Sequence, residues 1–345
     1  MPRHDDRTTG DIDHDPGADG AAARVAALET VAAEPIEAPG GSHVLVGTAS
    51  WTDPTMTAAG VFYPSGADTA EGRLAYYAST FPVVEVDATY YALPAERTAQ
   101  LWVERTPPDF TFDIKAHALM TGQGTETKRL PKAIRDELPA ELREKTRIYA
   151  KDLPADLNDE VWRLFRSALG PLAERGQLGS ILLQYPRWVF PSNENRAMIE
   201  DAVERLDGWT AAVEFRNGSW LNEKNVERTL RFLADRSIPF VMVDEPQGFK
   251  SSVPPEVAVT SSKLALVRFH GRNAETWEKK NITPAERFRY LYSRDELAEW
   301  VPKIREVASE AKEVHLMFNN CYANYGTTNA REIASLLADM ESDAA

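Results

Sequence analysis

The chain has a single cysteine, Cys321, in 345 residues. That excludes an internal disulfide and a cysteine-rich zinc site. No apolar run approaches the length needed to cross a bilayer, so no membrane contact is expected. The first residues, Met-Pro-Arg-His-Asp-Asp, carry no apolar signal core, so the expected location is cytoplasmic. Positive charge is also scarce: 39 Lys and Arg stand against 53 Asp and Glu, a net charge of −14. Such a chain is not steered globally onto nucleic acid, although a local basic patch is still compatible with that partner. Two motifs are missing. No Gly-x-Gly-x-x-Gly turn follows the first strand, which weighs against a doubly wound dinucleotide fold. No His-Glu-x-x-His offers a tight metal site.

What is present divides into two parts. Residues 1–42 hold nine acidic residues against three Lys or Arg, a net of −6, and no aromatic residue. A segment of that composition cannot bury enough apolar surface to offset its ordering entropy, so a disordered acidic tail is expected, with at most a transient helix over 21–33. Residues 43–345 carry a regular alternation of short apolar runs and helical stripes. Strands are predicted at 44–48, 83–87, 110–115, 180–184, 211–215, 238–243, 264–269 and 314–318. Helical spacing links Leu74, Tyr77, Ala78 and Phe81, and again Leu297, Trp300, Val301 and Ile304. Ser293 and Glu296 make a capping box, and Pro302 predicts a kink in the helix behind it. Residues 119–157 break the rhythm as a polar, proline-punctuated insertion after strand three. Eight strands and this length predict an α/β fold, a single (β/α)8 TIM barrel, with a doubly wound sheet as the competitor.

Function in such a barrel sits at the C-terminal ends of the strands. Those ends carry Glu85 and Asp87, Lys115, Gln184, Glu214 and Arg216, Asp244, Arg268, His270 and Arg272, and Asn319 and Asn320. Strand side chains alternate faces, so Glu85/Asp87, Glu214/Arg216 and Arg268/His270 each share a face. One barrel mouth ringed with mixed charge follows. Glu214, Glu85 and His270 are the candidate catalytic groups, because paired carboxylates and an imidazole suit acid–base work. Arg268 and Arg272 are candidate anion clamps through their forked donors, with Lys115 assisting. Arg216, Gln184, Asn319, Asn320 and Asp244 complete the polar set, and Trp51, Tyr90 and Trp220 are candidate ligand-packing faces. Each has a plainer reading. Glu214 and Arg216 equally suit a structural ion pair, and Arg268 and Arg272 equally suit salt bridges to Glu85, Asp87 or Asp244. His270 alone reads more readily as a hydrogen-bonded structural histidine. Glu85, Glu214, Asp244 and His270 are also a donor set for a divalent ion, but four cations crowd the same mouth; no metal ligand is assigned and the cofactor is left open.

These residues carry a resemblance. Gly47-Thr48-Ala49-Ser50-Trp51, Phe62-Tyr63-Pro64, the run from Val84 to Tyr91, Phe112-Asp113-Ile114-Lys115 and Leu183-Gln184-Tyr185-Pro186 fall in the order of the YecE-like family, domain of unknown function 72. Val213-Glu214-Phe215-Arg216 with Trp220, the run from Val267 to Arg272, and Phe318-Asn319-Asn320 with Asn329-Ala330 continue it to the C-terminus. Asp87-Ala88 departs from the Asn-Ser more usual in that family. The resemblance implies a TIM barrel and no particular reaction. The residues themselves lead to the expectation of an enzyme of hydrolase or isomerase type. Its ligand would be small and anionic, sugar-phosphate-like or nucleotide-like. The alternatives are an endonuclease-IV-like nucleic-acid-binding protein and a non-catalytic ligand sensor. No protein partner is evident.

Overall fold

The computed structural model describes residues 16–28, 33–38, 40–58 and 60–342. Eight parallel strands form the barrel: β1 (Ser42–Ala49), β2 (Val83–Val86), β3 (Thr111–Lys115), β4 (Leu178–Tyr185), β5 (Ala211–Phe215), β6 (Val241–Asp244), β7 (Ala265–Phe269) and β8 (Glu313–Phe318). They pair in the order β5-β4-β3-β2-β1-β8-β7-β6. Between β5 and β6 a single parallel bridge, Val213 to Phe240, completes the ring, with the Val213 amide donating to the Pro239 carbonyl at 2.9 Å. Each predicted strand is found. β6 starts at Val241, later than predicted, because Pro239 has no N–H to offer the ladder.

Alternation sorts the side chains. Val84, Val86, Val213, Phe215, Val267 and Phe269 pack outward in the main core, under the helices. Leu45, Val83 and Met317 form a separate small cluster inside the barrel. Gly47 is required where β1 and β2 converge, since a Cβ there would stand 2.0 Å from the Val83 carbonyl oxygen.

Three details differ from the sequence expectation. Pro302 does not kink a continuous helix. The segment splits into helices Arg294–Ala298 and Val301–Glu310, with Pro302 in the first turn of the second, where its missing N–H costs nothing. The capping box at Ser293 and Glu296 does form. The insertion contains the expected short helices, Lys132–Glu137 and Ala140–Arg143, and adds an antiparallel pair, Thr125–Glu126 with Arg147–Ile148. Buried Ile134, Leu138, Leu142 and Ile148 anchor it. Within the acidic tail, Pro16–Ala26 form a helix seated on the C-terminal helix Tyr325–Ser342. Ala21 is fully buried there, and Arg24 donates to both carboxylate oxygens of Glu332 and, at 2.7 Å, to the Tyr292 carbonyl. The small residues that make the segment look featureless are what let it approach another helix closely. Residues 1–15 and 29–32 of the tail lie outside the described residues.

Near the N-terminal ends of the strands, inside the barrel, His315 bridges two carboxylates. Its Nδ1 lies 2.7 Å from Asp113 and its Nε2 2.6 Å from Glu313, while Ser180 donates to Asp113 at 2.6 Å. Gly179 leaves the room for this contact; a Cβ would come within 2.8 Å of the Asp113 carboxylate. Burial opposes charge on His315, but Asp113 and then Glu313 overcome it and push the imidazole up from 6.5 to about 10. A folded-state value above the ordinary one means that this stabilisation is fully present below about pH 6.5 and is lost as pH rises through about 10. His315→Gln should therefore destabilise the fold by about 3 kcal/mol near neutral pH, by leaving Asp113 buried without its cation. In urea melts the gap between wild type and variant should narrow at about pH 10.5. A gap of constant size across that range would contradict this assignment.

Candidate active site

At the opposite end the barrel floor is organised by Arg268, a fully buried guanidinium on β7. Its Nε and Nη2 fork onto Glu85 of β2 at 2.8 and 2.5 Å, and its Nη1 donates to Glu214 of β5. The second oxygen of Glu214 accepts from Gln184 at 2.8 Å and from Arg216 at 3.3 Å, and lies 3.3 Å from His270 Nε2. His270 Nδ1 lies 2.9 Å from the Asn319 amide. The Asn319 amide is a donor, so Nδ1 accepts and the ring proton sits on Nε2, facing Glu214.

Electrostatics follow from this packing. Burial works against the Glu214 carboxylate, yet Arg268, His270 and Arg216 hold it well below the usual carboxylate range. Burial pushes Glu85 the other way, up to about 8, against the pull of Arg268 and with the help of Asp87. Burial and the neighbouring Arg216 push His270 down to about 3, so its imidazole is neutral near pH 7. Glu245, whose carboxyl lies 3.0 Å from Arg216 as an ion pair, is pushed up by burial to about 7. The floor thus combines a carboxylate held low, an imidazole pushed down and two carboxyl groups pushed up by burial.

Above the floor lies a cavity of about 450 Å³. Lys115, Gln184, Arg216, His270 and Asn319 reach its lining from five different strands, and Tyr90 and Phe288 supply aromatic walls. Lys115 is held 3.3 Å from Asp87 and 5.1 Å from the Tyr90 ring centre. Ser50, at the rim, adopts a left-handed backbone with φ of 80°.

The structure brings together Glu214, Glu85, His270, Arg216, Arg268, Lys115, Gln184, Asn319 and Tyr90. It does not bring in the rest. Arg272 pairs with Asp244 at 2.8 Å and Glu299 at 3.0 Å, and Asp244 also accepts from Tyr292 and Trp300, each at 2.8 Å. Arg268 and Arg272 therefore serve two separate ion networks and do not make one clamp. Asp244 is likewise apart from Glu85, Glu214 and His270, so the four-residue donor set for a divalent ion does not assemble. Asn320 is buried, donating to the Tyr290 carbonyl and to Asn329. Trp220 stacks on Phe215 at 4.4 Å and donates to the Val189 carbonyl, outside the barrel. Trp51 packs edge-on against Trp102 at 5.9 Å. Sequence reasoning missed Phe288 and Arg287, which come from the long connection after β7. Glu245 directly follows Asp244, and its strand-end position was the available signal.

Glu214 receives four donors with no exposure to water. Glu214→Gln turns an acceptor toward donors that no longer have a charge to face, so a loss of about 3 kcal/mol in urea melts is expected. A change below about 1 kcal/mol would show that the network rearranges freely and is not the fixed floor described here.

Comparison with known proteins bears on the family and the fold. Residues 45–344 match the family described as protein of unknown function DUF72. The UPF0759 protein YunF of Bacillus subtilis is 30% identical over 302 residues, spanning 86% of this chain and 95% of YunF. A DUF72 family protein of Enterococcus faecalis has a solved structure with a TM-score of 0.66 at 26% identity, covering 86% of this chain and 97% of that one. One from Thermotoga maritima also gives 0.66, at 29% identity, covering 86% and 99%. With residues 45–344 matched by the family model, the chain belongs to the DUF72 family.

Proposed function

We propose that the barrel mouth is the active site of an enzyme that transforms a small anionic ligand, sugar-phosphate-like or nucleotide-like, by acid–base chemistry of hydrolase or isomerase type. One observation carries this reading: a neutral imidazole, backed by a buried ionised carboxylate, lines the same cavity as two cations. Lys115 and Arg216 attract and hold the anion, and Tyr90 packs on it. His270 accepts a proton at Nδ1 once a ligand displaces the Asn319 amide. Glu214 positions the ring and stabilises the imidazolium that forms, as a carboxylate behind a histidine does in general-base catalysis. Glu85, pushed up by burial, is the second carboxyl group of the same floor.

A second reading, a non-catalytic ligand sensor, draws on a different observation: both His270 nitrogens and both Glu214 oxygens already have partners. A panel of phosphorylated sugars and nucleotides, incubated with the protein and followed by mass spectrometry, separates the two. The enzyme reading expects turnover of at least one compound and a loss of roughly 100-fold in rate for His270→Gln with the ligand still bound. Binding without turnover by wild type would favour the sensor, and neither binding nor turnover would contradict both.

A further inference from the structure

Beside the mouth lies a second cavity, of about 290 Å³, that shares Gln184 and Arg216 with the first. Its charged lining is of one sign. Arg187, Arg216 and Arg287 border it and no carboxylate does. In a chain of net charge −14 this is a local reversal. Arg287 is fixed in place by the carbonyls of Thr276, Trp277 and Lys279, which orient its guanidinium without neutralising it. Arg216 stacks over Trp277 at 4.9 Å and pairs through Nη1 with Glu214 and Glu245, which lie on its other side from the cavity lining. Arg187 is exposed and has no carboxylate partner among the described residues. Burial, and then Arg187 and Arg216, push the Arg287 guanidinium down from its ordinary range.

We infer that this arginine-lined cavity is a phosphate subsite, which anchors the phosphate of a small phosphorylated molecule while the rest of that molecule reaches across Arg216 into the mouth. Arg187 and Arg287, neither with a carboxylate partner among the described residues, carry more positive charge than a single carboxylate, with two oxygens and one charge, can answer. A phosphate monoester has three free oxygens and close to two charges near neutral pH, and guanidinium geometry matches it. A concave pocket of this size suits one phosphate on a small molecule better than a polymer, and the acidic chain repels a polyanion. The inference rests on the proposed function for the fate of the rest of the ligand, but the subsite itself stands on its own residues.

The test uses the full chain and inorganic phosphate, with binding read by titration calorimetry. Wild type is expected to bind phosphate, and Arg187→Glu to weaken binding by at least about tenfold. Because the Arg187 side chain is exposed, that variant leaves the fold intact; Arg287→Gln should weaken binding similarly. Lys132→Ala, on the insertion helix and bordering neither cavity, should change it by less than about twofold. No phosphate binding by wild type would overturn the inference. So would a loss in Lys132→Ala without one in Arg187→Glu, or displacement of phosphate by a short single-stranded oligonucleotide at lower concentration than by a phosphomonoester. Phosphate binding that depends on Arg187, with no turnover of any phosphorylated compound, would remove the enzyme reading and leave the subsite in place. Turnover of an unphosphorylated ligand without phosphate binding would do the reverse.

Discussion

A guanidinium with no access to water must have its charge answered inside the protein, and Arg268 is answered from two opposite strands. Glu85 takes its fork and Glu214 takes its remaining arm, so one cation ties β2, β5 and β7 together across the barrel. Everything that faces the mouth depends on this. Glu214, fixed on one oxygen by Arg268, presents the other to Gln184, Arg216 and His270. Glu85, fixed by the same cation, stands beside Asp87, which in turn holds Lys115 over the cavity. With both carboxylates ionised the trio is left with one excess negative charge in a dry interior. That charge is what burial acts on when it pushes Glu85 up while Glu214 stays low.

The barrel handles buried charge in three separate places. Inside, near the N-terminal ends of the strands, Asp113, His315 and Glu313 form a network facing no cavity, which suits a structural role. Outside the floor, Asp244 gathers Arg272, Tyr292 and Trp300 and locks the connection after β7. The Arg268 network borders the mouth cavity, where an imidazole and two cations meet. Networks of similar composition thus divide by what they border, and the mouth cavity is what sets the Arg268 network apart.

Much of this was legible in the chain. Alternation along a strand places Glu214 and Arg216 on one face whatever surrounds them, and the repeat of strand and helix gives the barrel. Glu85 was among the salt-bridge partners the strand ends offered, but its fork with Arg268, and the joining of Glu214 to the same cation, were not legible, because Glu85 lies 183 residues away in sequence and only closure of the ring brings it near. Arg272 sits four residues beyond Arg268 but past the strand end, where Gly271 turns the backbone with φ of 85° and directs it to Asp244. Trp51 and Trp220 lie in loops after strands, yet each folds back onto the helical layer, since a large ring gains more from full burial than from roofing a wet mouth. The helix at Pro16–Ala26 escaped composition reasoning for the same cause as Arg268: its partner Glu332 lies 308 residues from Arg24.

The central claim is that the Arg268 floor and its two adjoining cavities hold a small phosphorylated ligand. Its most direct measurement is untargeted mass spectrometry of small molecules that co-purify with the wild type and with Arg216→Glu, the residue common to both cavities. The account predicts a phosphorylated compound enriched with wild type and absent from the variant. A set of co-purifying molecules indistinguishable between the two proteins would contradict it.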